Sequence, residues 1–245
     1  MANVASQIIL HPTASASLKV LGTTVGRDKV YRATQYFARF FAWYLISGGR
    51  KADAVRWNAL KSHLALSRKL LRLGKPLEHL QSALRAAQST GDLKEQLTTI
   101  ARQLAYFGYL TYDTVVWANA IKVIALKPET SQKVQKISNR FWLAGILFSI
   151  TNAVLKTGRL TKETREIRGL DEKNIGEDNA RKSRLRALQT MQAATRHQFI
   201  IDILDVWLPA ANLGLVNLND GILGIFGFIS SLLGLQTQWL AVNAK

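Results

Sequence analysis

The sequence contains no cysteine, which excludes a disulfide framework, a thiolate metal site and a cysteine nucleophile. Histidine is scarce as well. His11, His63, His79 and His197 show none of the spacings, with one another or with an acidic neighbour, that hold zinc or iron, so no metal is expected. Gly221, Gly224 and Gly227 follow no strand and lack a P-loop lysine, so they cradle no phosphate. No nucleophile, base and orienting partner can be nominated, and the chain reads as non-enzymatic and free of cofactors. Acid is the other shortage, with 16 Asp and Glu against 33 Lys and Arg, a formal charge of +17. Hydrophobic residues nevertheless make up 48% and mean hydropathy is +0.02. A basic excess of that size requires a polyanion, either nucleic acid or an anionic membrane surface. The apolar C-terminal stretch selects the membrane and argues against nucleic acid. The N-terminus carries no basic segment followed by a sustained apolar core, so no cleaved secretory signal is expected. The last residues form neither a peroxisomal nor an endoplasmic-reticulum address.

What is present is helical periodicity, with no run of period two. The expected fold class is all-α, a membrane-associated protein with amphipathic interfacial helices and one or two transmembrane helices. Four regions are expected. Residues 1–90 hold an aromatic helix at 13–46, a cationic membrane-inserting helix at 51–73 and a short helix at 77–88. Residues 91–157 form long central helices, one from Leu93 to about Leu126 ended by Pro128 and another from Thr130 to Lys156. The second contains a candidate span at 141–155, whose 15 residues reach only about 22 Å. Charges and glycines alternate over 158–180, which reads as a solvated linker. Residues 181–245 hold a helix to Trp207 and a glycine-rich transmembrane helix at 220–242. In the former, Ile200, Ile203, Leu204 and Trp207 make an apolar stripe, with Asp202 and Asp205 opposite.

From Gly221 through Ala244 no side chain is charged, and these 24 residues would extend roughly 36 Å as a helix, enough to cross a hydrocarbon core of about 30 Å. Gly221, Gly224, Gly227, Ser231 and Gly234 fall on one side of it. A seam of small residues allows a second helix close approach in lipid, where packing drives association. Asn219 or Asp220 is placed to cap the helix.

The cationic helix carries the second candidate site. Leu60, Leu64, Leu66, Leu70, Leu71 and Leu73 define an apolar half-cylinder. Lys61, Arg68, Lys69, Arg72 and Lys75 supply five positive charges with no acid between Lys61 and Lys75. An interfacial helix needs this pattern, since leucines enter the acyl boundary while the cations bind anionic phospholipid headgroups. In the aromatic helix, Tyr31, Tyr36, Phe37, Phe40, Phe41, Trp43 and Tyr44 read as a packing face flanked by bases. The helix after Asp92 carries Tyr106, Tyr109, Tyr112 and Trp117, with Asp113 its only charge between Arg102 and Lys122.

Two stretches resemble the peroxin eleven family of peroxisomal membrane proteins in its fungal form. One is Thr23-Thr24-Val25-Gly26-Arg27-Asp28-Lys29, continuing through Tyr31-Arg32, Gln35-Tyr36 and Arg39-Phe40 to Trp43-Tyr44-Leu45. The other is Leu218-Asn219-Asp220-Gly221-Ile222 with Gly224, Gly227, Ser230-Ser231, Gly234 and Gln238-Trp239. The resemblance implies localisation in the peroxisomal membrane, self-association as a homo-oligomer, and membrane elongation that precedes division by a dynamin-related GTPase. It also implies a cationic amphipathic helix that bends lipid, matching the Arg56 to Lys75 region. The alternative it offers is an oligomeric pore for small metabolites, with the aromatic helices and Asp113 along its path.

Overall fold

The computed structural model describes residues 7, 9–169 and 178–244, and among these it contains helices and no strand. The helices are α1 (Pro12–Leu21), α2 (Thr24–Ser47), α3 (Lys51–Leu70), α4 (Lys75–Gln88), α5 (Leu93–Ala120), α6 (Pro128–Gly169), α7 (Asp178–Asp205), α8 (Trp207–Asn212) and α9 (Asp220–Asn243). The expected continuous helix over 13–46 is broken after Leu21. Thr23 caps a new helix there by accepting from the Gly26 amide at 2.9 Å. The turn is so tight that a Cβ on Gly26 would lie 2.0 Å from the Val20 carbonyl oxygen.

The prolines begin helices more often than they end them. Pro76 and Pro128 occupy first turns, where the missing amide hydrogen costs no hydrogen bond. The helix expected to reach Leu126 instead stops at Ala120, because Lys122 adopts a left-handed φ of 63° and the Asn119 side chain takes the Leu126 amide. The cationic helix likewise stops at Leu70 rather than at residue 73.

The expected linker is largely helix. α6 continues through Gly169 because its charges pair along and between helices. Arg159 binds Glu163 on its own helix and Glu95 on α5, while Leu160 and Ile167 are buried with Leu188 of α7. The remaining linker positions 170–177 lie outside the described residues, and helix resumes at Asp178.

Packing partners follow a closed circuit: α2 on α3, α3 on α5, α5 on α6, α6 on α7, α7 on α9, and α9 back on α2. Two of these joints use glycine. A Cβ on Gly108 of α5 would enter the Phe141 ring of α6 at 2.8 Å, and one on Gly145 of α6 would meet the Tyr106 ring of α5 at 3.2 Å. Each helix thus offers a flat spot to an aromatic ring of the other. α4 lies along α5, with the Gln96 side chain donating to the last carbonyls of α4 at Ala86, Ala87 and Ser89.

Candidate functional site

Two features organise the molecule: the seam between α2 and α9, and a polar cavity inside the ring of helices. The seam runs antiparallel. Gly221 lies under the Trp43 ring, Gly224 against the Phe40 backbone, Gly227 under the Tyr36 ring and Gly234 under the Lys29 stem. At one end Asn219 caps α9 by accepting from the Ile222 amide. Asp220 leaves the capping role to it and instead takes Arg39 at 2.7 Å and Lys61 at 3.8 Å. At the other end Gln238 donates to Thr23 Oγ1 at 3.1 Å, the oxygen that caps α2. Ser231 is fully buried, its hydroxyl donating to the Gly227 carbonyl. The small residues on α9 are therefore a packing surface, and the helix covering them belongs to the same chain. Both sequence signatures meet along this one line, which explains why aromatic residues in the first face glycines in the second.

Leu60 and Leu70 of α3 are exposed, while Leu64, Leu66, Leu71 and Leu73 are half-buried. The cations, expected on an open polar face, turn inward. Arg68 is buried and donates to Asp28 at 2.9 Å and to the Gln35 side-chain oxygen Oε1 at 2.8 Å. Lys69 and Arg72 both hold Asp113, which is buried on α5. Lys61 reaches Asp220, and Lys75 pairs with Glu78 at 2.7 Å. Three aspartates from three helices explain the inversion: sequence spacing places acids in no relation to α3, whereas the ring brings α2, α5 and α9 around it.

α7 is inverted in the same sense. Its apolar residues Ile200 and Ile203, with Trp207 just beyond, are exposed, whereas Asp202 and Asp205 are buried. Asp205 binds Arg32 at 2.6 Å. Asp202 accepts from Ser149 at 2.6 Å and from Gln198 at 2.8 Å, and burial raises its carboxyl above the usual aspartate range despite those bonds. Burial would raise Asp28 too, but the Arg68 and Arg72 charges outweigh it and hold Asp28 below its ordinary value. Sequence analysis missed Arg32, Asp28, Asp202 and Asp205. The available signal was polar residues at helical spacing on segments whose remaining faces are apolar, the reverse of a soluble helix.

These groups line a cavity of about 760 Å³. Its charged walls are Lys29, Arg32, Arg39, Lys61, Arg68, Lys69, Arg72 and Lys75 against Asp28, Asp113, Asp202, Asp205 and Asp220. Among its lining residues Asp220 has a side chain 47% exposed. Outside the ring the surface is apolar along α6 and α9: Leu147, Phe148, Val154, Ile222, Ile225, Ile229 and Leu232 are all exposed. Both helices are long and apolar enough to cross a membrane, and both present most of their apolar window outward. A polar interior within an apolar exterior is the arrangement a hydrocarbon solvent favours. Among the described residues no cluster of metal-ligating side chains forms.

Residues 14–239 match the family described as peroxisomal biogenesis factor 11. The chain is 28% identical to the peroxisomal membrane protein PMP30A of Candida boidinii, over 98% of this chain and all of that protein. It is 26% identical to the peroxisomal membrane protein PMP27 of Saccharomyces cerevisiae, over 97% of this chain and 99% of that one. It is 25% identical to the peroxisomal biogenesis factor 11 of Schizosaccharomyces pombe, over 91% and 93%. No solved structure matches the chain.

Proposed function

Since the chain belongs to the peroxisomal biogenesis factor 11 family, and is therefore a peroxisomal membrane protein of organelle biogenesis and not an enzyme, we propose that it remodels and elongates that membrane by inserting the leucine face of α3. The supporting observation is the outward position of Leu60 and Leu70 on a helix whose Arg68 and Lys69, with Arg72 just beyond, turn inward to Asp28 and Asp113. Inserted leucines widen one leaflet and favour curvature. Headgroup binding by Lys61, Arg68, Lys69, Arg72 and Lys75 then requires each cation to exchange a carboxylate for a lipid phosphate. α9, and α6 with it, anchors the protein. Self-association uses the outward faces of those helices, because Gly221, Gly224, Gly227 and Gly234 are already covered by α2. Recruitment of a dynamin-related GTPase completes this proposal and rests on family resemblance. In anionic liposomes reconstituted with the full chain, the double substitution Leu60→Asp and Leu70→Asp is expected to abolish tubulation while leaving the protein membrane-bound. Undiminished tubulation overturns the proposal.

One observation favours a second reading, a pore for small metabolites: the helices close a circuit around a polar cavity that includes Asp113. A reconstituted bilayer would then conduct, with a selectivity altered by Asp113→Asn.

A further inference from the structure

The cavity holds more cations than acids, eight lysines and arginines against five aspartates. Most of these cations are satisfied within the protein, Arg32 by Asp205, Arg68 by Asp28, and Lys69 and Arg72 by Asp113. Lys29 is different. It lines the cavity together with Asp28 and Arg32, with its stem over Gly234 of α9, and it forms no ion pair among the described residues. Lys29 is half-buried, and a partly desolvated ammonium with no carboxylate in direct contact gains from an anion that pairs it. The space is large enough for one, since ligand sites commonly measure about 300–1,000 Å³. Tyr106, Tyr109 and Trp142 supply an apolar wall beside the charges.

We propose that the cavity is a binding site for a phosphate-bearing anion, with Lys29 as the cation the ligand pairs. Phosphate suits the site better than a carboxylate for two reasons. A phosphate monoester brings about −1.5 to −2 of charge, which offsets part of the surplus of three positive charges, and presents three acceptor oxygens. Arg32 and Arg68 line the same cavity as Lys29, and guanidinium groups offer fork geometry that matches such oxygens. The phosphate belongs either to a soluble metabolite or to a lipid headgroup entering beside Asp220. This inference goes beyond both readings of function, since the site needs neither bending nor conduction.

The test uses the full chain in phosphatidylcholine nanodiscs, titrated calorimetrically with glycerol 3-phosphate and separately with dihexanoyl phosphatidate, with dihexanoyl phosphatidylcholine as the zwitterionic control. At least one phosphate is expected to bind saturably at one per chain. The tighter of the two identifies the source, soluble or lipid. Lys29→Gln leaves no carboxylate orphaned and should keep the helical content, yet weaken binding about tenfold, as loss of one charged hydrogen bond does. Lys29→Arg restores most of the affinity, and Lys133→Gln on the exposed side of α6 changes nothing. Absence of saturable binding by either phosphate, or affinity unchanged in Lys29→Gln, overturns the inference. Neither tubulation nor conductance is read, so failure here is separable from failure of the functional proposal.

Discussion

Each glycine of the α9 seam faces a different kind of atom, and this grades what a methyl group would do there. At Gly224 the added carbon would lie 2.7 Å from the Phe40 backbone nitrogen, which cannot turn aside. At Gly227 it would lie 2.3 Å from the Tyr36 ring, itself buried. At Gly234 it would meet the end of the flexible Lys29 side chain at 3.1 Å. Gly224→Ala and Gly227→Ala should each lower stability by about 1–3 kcal/mol, the usual cost of overpacking, and Gly234→Ala by much less. Thermal unfolding in nanodiscs ranks them, and equal effects at all three positions would contradict the seam. Lys29 permits a second prediction. Burial, with the neighbouring Arg32 charge, lowers its ammonium to about 8 from 10.5, although Asp28 and Asp205 act the other way and Arg68 adds to the lowering. Between those two values the unfolded chain binds more protons than the folded one, so this lysine's contribution to stability rises with pH. Relative to Lys29→Met, the ligand-free protein should be less stable below pH 8, and the gap should close as pH approaches 10.5. A gap independent of pH would show that the ammonium is not withdrawn from water.

At the scale of the element, the helical spans were legible in the sequence because helical periodicity and length survive any tertiary arrangement. The tail was expected at 220–242 and occurs at Asp220–Asn243. Ends were less legible where side chains decide them: Asn119 and Lys122 stop α5 well before Pro128. The segment 158–169 misled because alternating charges suggested water on all sides, whereas Arg159 finds Glu95 on another helix. Composition cannot reveal a partner 64 residues away. Spacing along α3 could not show that Arg68, Lys69 and Arg72 turn inward, since their acids come from α2 and α5. Amide exchange tests the helical extension. Amides at 159–168 should exchange as slowly as those of 140–155, and protection that collapses beyond Lys156 would restore the linker. Leu160, with no exposed surface, anchors this part of α6, and Leu160→Ala should cost about 2–5 kcal/mol.

For the whole molecule, the question is whether α9 covers α2 of its own chain or of another. Thr23 and Gln238 are joined by a hydrogen bond at 3.1 Å across a separation of 215 residues. The chain has no cysteine of its own, so Thr23→Cys with Gln238→Cys gives an unambiguous pair. On mild oxidation the crosslinked product should run at monomer mass. A product of dimer mass would mean that α9 is exchanged between copies. Contacts of such long range also form late, because loop closure must precede them. α9 follows in chain order every helix it packs on, so the α2 face it covers waits for it. Until α9 docks, Arg39 lacks Asp220, the rings of Tyr36 and Trp43 lack their glycines, and the helical circuit stays open. Docking of α9 is therefore the step that closes the circuit and completes the fold.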